Sequence, residues 1–186
     1  MPTSATEAKF TTVYEAIGDL PTLNCGEKGP DVKDYTIEAF SDYQRAMRYG
    51  SPGIYNHESP RLSSVNIERM KFIPPGGNWT DIPADMLPEG MKKARRSDHT
   101  KRYGRVTKDG LASTILTKCD PHWGAYIHYD QNRSFTVREA ARIQSFPDHF
   151  IFYGTLAEQF AQVGNAVPPL LAKAIGTSII NVLTTI

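Results

Sequence analysis

Three times in this chain a threonine stands three residues ahead of a glutamate: Thr12 to Glu15, Thr136 to Glu139 and Thr155 to Glu158. At that spacing the hydroxyl accepts from one free backbone N–H of a helix start while the carboxylate reaches back to another, so each pair marks a helix N-terminus. The first predicted helix stops near Gly18 and Pro21. The second runs through REAARIQSF to Pro147 and the third through AEQFAQV to Gly164. A fourth is expected from Pro168 or Pro169 through LLAKAIGTSIINVL, because proline suits a first helical turn. On it Leu170, Leu171, Ala174, Ile175, Ser178, Ile179 and Val182 share one face at helical spacing, a stripe that needs a cover.

Between Gly50 and Gly110 the chain is rich in Pro, Gly, Asn and charge. Helical pieces are predicted near Ile37 to Tyr49 and Ser64 to Phe72, and Pro74-Pro75-Gly76-Gly77 marks a firm break. Ala112 to Lys118 and Ala125 to Tyr129 are short runs of β-branched and aromatic residues flanking CDPHWG, which reads as a hairpin with a loop. No internal repeat or low-complexity tract interrupts this order.

At 186 residues the chain suits one ordinary domain, or a small domain plus a piece of another. Its hydrophobic fraction of 40% and charged fraction of 22% are those of a folded chain. No uninterrupted apolar run approaches the roughly 18 residues of a membrane span. MPTSATEAKF lacks the apolar centre of a secretory signal, so no membrane and a cytoplasmic location are expected. The two cysteines, Cys25 and Cys119, form no CxxC or Cys/His cluster, so neither a disulfide framework nor a metal site is expected.

The net charge of +1 conceals a basic run. Lys92, Lys93, Arg95, Arg96, Lys101, Arg102, Arg105 and Lys108 are opposed between residues 91 and 108 by Asp98 alone, eight cations against one anion. Such a field attracts polyanions, of which nucleic acid is the commonest in a cell. A solvated loop is the other reading of a charge run.

Residues 133–148, RSFTVREAARIQSFPD, and 164–176, GNAVPPLLAKAIG, resemble in order and separation the ninth and tenth conserved motifs of the cytosine-C5 DNA methyltransferases. TVYEAIGDLP, the stretch VNIERMKFIPPGG from Val65 to Gly77, and YGRV followed by STILT are similar to that family's region between its eighth and ninth motifs. The resemblance covers nearly the whole chain. It implies an α/β protein, α+β within these residues. A small mixed recognition domain with short strands (1–132) is followed by C-terminal helices (133–186) that would pack on a doubly wound S-adenosylmethionine-dependent domain.

In such a family a thiolate from a Pro-Cys loop adds to C6 of cytosine, making C5 able to take a methyl group from the sulfonium. The base leaves the stack to reach the pocket, at a cost that DNA contacts elsewhere must offset. This sequence has no Pro-Cys pair, no Glu-Asn-Val and no glycine-rich FxGxG, and on the resemblance it begins after the eighth motif. Cys25 follows Asn24 and Cys119 follows Lys118, so neither stands in the nucleophile's context, and no catalytic residue is expected here.

The resemblance further implies that Gly164, Asn165, Ala166 and Val167 close one side of the S-adenosyl-L-methionine pocket; Asn165 as a helix cap is compatible with that. Thr114 matches a threonine beside the phosphate of the flipped nucleotide, though a β-branched residue is also a good strand former. Lys101, Arg102, Arg105 and Lys118 are expected at the DNA backbone. Tyr103 to Arg105 and the loop Asp120 to Gly124, with His122, are expected at base edges, His122 and Trp123 as hairpin packing being the alternative. Thr136 and Glu139 read as a capping box, with Ala140, Ala141, Ile143 and Phe146 as packing. The implied partners are double-stranded DNA and a catalytic half, in the same chain or a separate subunit. A non-catalytic DNA-binding module, a truncated or split methyltransferase and an RNA cytosine methyltransferase fragment are the other readings.

Overall fold

Each of the three Thr-x-x-Glu pairs closes a capping box in the computed structural model, which describes residues 10–28 and 30–184. Thr12 caps α1 (Val13–Ile17), Thr136 caps the later helix Val137–Ile143, and Thr155 caps the one after it, Leu156–Asn165. Between the first and second of these lie β1 (Val32–Lys33), α2 (Asp42–Arg48), β2 (Ile54–Tyr55), α3 (Ser64–Lys71), a 3₁₀ turn (Trp79–Asp81) and α4 (Glu89–Lys92). The helices Val137–Ile143, Leu156–Asn165 and Pro169–Leu183 are then α5, α6 and α7. Strands β1 and β2 pair antiparallel, Val32 opposite Tyr55 and Lys33 opposite Ile54. Helix α5 ends at Ile143 rather than running to Pro147, because Ser145 turns the chain through a left-handed backbone at φ 62°.

The expected hairpin between Ala112–Lys118 and Ala125–Tyr129 is not a ladder. Ile127 bridges to Arg105 in parallel and to Ser134 antiparallel, so its segment pairs away from residues 112–118. A side chain replaces the missing rungs: the Tyr126 hydroxyl donates to the Thr114 carbonyl at 3.0 Å and accepts the Leu116 N–H at 3.2 Å. Backbone groups in an extended stretch need partners, and here one buried tyrosine supplies them.

Helix α5 lies at the centre of the larger apolar core, against α1 and α6. That core joins Val13 and Ile17 to Ile54, Ile115, Phe135, Ala140, Phe152, Phe160 and Val163. A smaller cluster, Met70, Ile73, Trp79, Ile82, Met91, Tyr103 and Ile127, holds the middle of the chain together.

Three arginines, Arg133, Arg138 and Arg142, are fully buried around α5. Arg142 donates to both oxygens of Asp148 at 2.8 and 2.6 Å, to Asp19 at 2.6 Å and to the Ala16 carbonyl at 3.0 Å. Arg133 grips Glu139 through two bonds of 2.8 and 2.6 Å. Burial acts to raise the Glu139 carboxyl, but the Arg133 guanidinium overrides it and holds that group well below the usual carboxylate range. Arg138 donates to the carbonyls of Tyr55, Pro147 and Phe150, tying β2 to the turn after α5. Burying such a pair adds little net stability, because desolvation offsets the attraction, but removing one partner strands the other's charge.

Helix α7 departs from this pattern: none of its 15 residues is buried. Leu156–Leu183 is apolar enough by length and composition to cross a membrane, with a mean hydropathy of 1.5. The backbone breaks it at Ala166 and Pro168, which are extended (ψ 149° and 127°). Helix α7 alone spans about 22 Å, short of the roughly 30 Å of a hydrocarbon core.

Candidate nucleic-acid interface

Folding sorts the cations of the basic run. Arg105 turns inward, only 6% exposed, and its guanidinium donates to the carbonyls of Ile73, Met70, His128 and Gln131 and to Asn132 Oδ1, at 2.6 to 3.0 Å. With its donors engaged, it clamps α3's end to the 128–132 turn and does not reach a phosphate. Lys108 lies 3.9 Å over the Tyr14 ring, where the Val13 and Tyr14 N–H groups meet the Gly110 and Lys108 carbonyls. Lys92 pairs with Glu89 at 2.5 Å. Lys93, Arg95, Arg96 and Lys101 remain exposed, with Arg102 half-buried.

Tyr103 is fully buried, in a left-handed backbone at φ 50°, so it presents no edge to a base. Its hydroxyl meets His122 Nε2 at 2.6 Å and donates to Asn66 Oδ1 at 3.1 Å. His122 is held on its other side by Asp120, Nδ1 to Oδ1 at 2.5 Å, so both ring nitrogens are engaged within the chain. The same carboxylate oxygen takes the His122 N–H at 2.8 Å.

An open groove of about 590 Å³ runs beside this turn, with Lys101, Thr114, Leu116, Trp123 and Tyr126 in its wall. Thr114 and Lys118 are exposed on the irregular stretch that Tyr126 secures. The structure thus brings Lys101 and Thr114 into one groove, with Arg102 stacked 5.8 Å from the Trp123 ring at its rim. No carboxylate among the described residues pairs with Lys101, Arg102 or Lys118. A second cavity of about 420 Å³, near β2 and Phe152, is lined by Asp31 and Glu58, the wrong sign for a phosphate.

Gly164 to Val167 form the junction of α6 and α7. A Cβ on Gly164 would stand 2.4 Å from the Leu116 carbonyl carbon, so this glycine lets α6 lie directly on the groove-forming stretch. Asn165 and Val167 face outward, and the Leu170 N–H in α7's first turn donates to Ser145 Oγ at 3.0 Å. Pro168 and Pro169 have no N–H and the Leu170 N–H is taken by Ser145, so the exposed Asn165 amide is the main polar group this junction offers outward. Gly164 to Val167 line neither the groove of about 590 Å³ nor the cavity of about 420 Å³.

Cys119 is buried in the main core, and burial pushes its thiol up to about 12, far from the thiolate a nucleophile needs. Cys25 donates its thiol weakly to the Pro60 carbonyl at 3.5 Å. Sequence reasoning missed the Tyr126 hydroxyl, the Asp19 and Asp148 partners of Arg142 and the Asn66 end of the Tyr103 contact. Asp19 lies 123 residues from Arg142 and Asn66 37 from Tyr103, while the Tyr126 contacts at 10 and 12 residues and the Asp148 pair at 6 follow no cap or repeat spacing.

A family model described as C-5 cytosine-specific DNA methylase matches residues 7–181. The type II methyltransferase M.DdeI of Desulfomicrobium norvegicum is 36% identical over 96% of this chain and 45% of its own length. DNA (cytosine-5)-methyltransferase 1A of Oryza sativa subsp. japonica is 35% identical over 89% of this chain and 12% of its own. Type II methyltransferase M.Sau96I of Staphylococcus aureus is 42% identical over 76% of this chain and 33% of its own. In fold, the chain is similar to a crystal structure of a putative DNA modification methyltransferase encoded within a prophage (E. coli). The TM-score is 0.65 at 21% identity, over 96% of this chain and 49% of that one. The chain thus spans less than half the length of these relatives. With a family model matched over nearly all its residues, the chain belongs to the C-5 cytosine-specific DNA methylase family.

Proposed function

We propose that the chain is the target-recognition and C-terminal portion of a DNA (cytosine-5-)-methyltransferase. Residues 1–132 serve as the recognition region with its leading helix, and 133–186 return to the catalytic domain. Helix α7 carries this reading: 15 residues, none buried, with Leu171, Ile175, Ile179 and Val182 each at least half exposed. Apolar surface of that extent marks an interaction face, and a doubly wound methyltransferase sheet is the cover the family supplies. The likeness to solved and curated methyltransferases of about twice this length supports it.

On this reading Lys101, Arg102, Thr114 and Lys118 hold duplex DNA along the groove while the target cytosine leaves its stack. Arg105 and Tyr103 support those residues from within. Gly164 to Val167 contribute one edge of the cofactor site, Asn165 offering its amide to the amino-acid end. When bound, S-adenosylmethionine supplies the methyl group. The thiolate comes from the catalytic half, since neither cysteine here stands next to a proline on its N-terminal side and Cys119 is held protonated by burial.

Tritium transfer from S-adenosylmethionine to mixed-sequence duplex DNA tests this. The chain alone is expected to show none, and the chain joined to a Pro-Cys-bearing catalytic half to show transfer. Activity of the chain alone that survives Cys25→Ser and Cys119→Ser would overturn the mechanism. Loss by either substitution would place the nucleophile here.

A further inference from the structure

The turn from Cys119 to Gly124 holds one residue out of place for a folded chain. Trp123 is 57% exposed although Pro121 and Gly124 on either side are buried, and a surface tryptophan forfeits the burial that large aromatics normally gain. The turn is also unusually well fastened. Asp120 fixes His122, His122 meets the Tyr103 hydroxyl, and that hydroxyl reaches Asn66. The Tyr103 N–H donates to the Pro121 carbonyl at 2.6 Å, and the Trp123 N–H to the Asp120 carbonyl at 3.0 Å. A Cβ on Gly124 would lie 2.7 Å from the Tyr126 ring, so the turn sits on that ring with no room to spare.

We propose that Trp123 is a base-stacking platform, held out toward DNA by the Asp120–His122–Tyr103 chain, and that His122 is a positioning residue rather than a base reader. The proposal rests on the reading of the groove as a DNA face and names what one side chain does there. Charge selects the occupant. Arg102 lies beside the Trp123 ring, Lys101 shares the groove, and the nearest turn carboxylate, Asp120, is spent on His122. A flat aromatic face flanked by unpaired cations is complementary to a base with its phosphate. Opening a stack to extrude one base leaves the neighbouring bases in need of such a surface.

The experiment uses the whole chain and a mixed-sequence duplex oligonucleotide at low salt, reading binding by anisotropy and tryptophan accessibility by acrylamide quenching. The chain has two tryptophans, and Trp79 is 3% exposed, so the quenchable signal belongs to Trp123; Trp123→Phe gives the baseline. Expected is protection of Trp123 by DNA, a roughly 5- to 150-fold loss of affinity in Trp123→Ala, and recovery of most of it in Trp123→Phe. Tyr103→Phe, which keeps the buried ring and deletes the hydroxyl, is expected to lessen the protection with no change in the salt dependence of binding. Binding that leaves Trp123 as accessible as before would overturn the platform and leave the DNA-face reading standing. No binding at low salt would overturn both.

Discussion

Arginines around α5 and cations between residues 92 and 118 are the same chemistry put to opposite uses. Arg133, Arg138 and Arg142 are fully buried, and their charges are consumed by Glu139, Asp148, Asp19 and backbone carbonyls. Lys101 and Lys118 stand in solvent, and neither they nor Arg102 pair with a carboxylate among the described residues. Arg105 belongs by sequence to the second group and by structure to the first. A cation's neighbours along the chain therefore say little about its work; the acceptors that tertiary contacts bring to it decide.

The largest effect expected from breaking this contrast is at Arg142. Arg142→Ala leaves Asp148 buried without its two-pronged partner and Asp19 with Arg48 alone, and should cost about 3–5 kcal/mol, read as a fall in urea midpoint or loss of folding. Acid should weaken the same region in two stages. Burial pushes His128 from an ordinary 6.5 down to about 4, so the unfolded chain takes up that proton first. Stability present above pH 6.5 is lost as pH falls toward 4, by about 3 kcal/mol in full. Glu139, depressed by Arg133, adds a loss that begins below about pH 4.5. Urea midpoints at pH 7, 5.5 and 4 should fall less steeply in His128→Gln; an unchanged slope would remove His128 from this account.

At Arg105 the contrast is sharpened. Arg105→Ala strands several buried carbonyls and should destabilise the chain by about 2–3 kcal/mol. Lys101→Ala with Arg102→Ala should change stability by no more than about 0.5 kcal/mol. That double variant should instead make the log-log salt slope of DNA binding shallower by roughly one for each phosphate it no longer neutralises. Equal unfolding midpoints for the two variants would erase the distinction. The smallest effect on folding is expected at α7, where Ile175→Asp should change the unfolding free energy by no more than about 0.5 kcal/mol while weakening association with the catalytic half in sedimentation. A clear loss of stability there would mean that the helix is covered in solution.

Helix starts were open to reading because a capping box is local: Thr136 and Glu139 find each other three residues apart whatever surrounds them. The proline at α7's first turn and its apolar face were legible for the same reason. The hairpin was not, because alternation in Ala112–Lys118 is equally satisfied by a ladder and by the Tyr126 hydroxyl, and only the folded arrangement brings that hydroxyl to Thr114 and Leu116. Site residues divide the same way. The sequence alone determined the family motifs, the helix origins and a basic segment of about +7. The tertiary structure decided that Arg105 and Tyr103 face inward, that His122 is tied at both nitrogens, and that Trp123 stands exposed. Caps and charge counts depend on the order of residues along the chain, whereas burial and the choice of partner depend on which segments meet, and that is decided only when the two cores close.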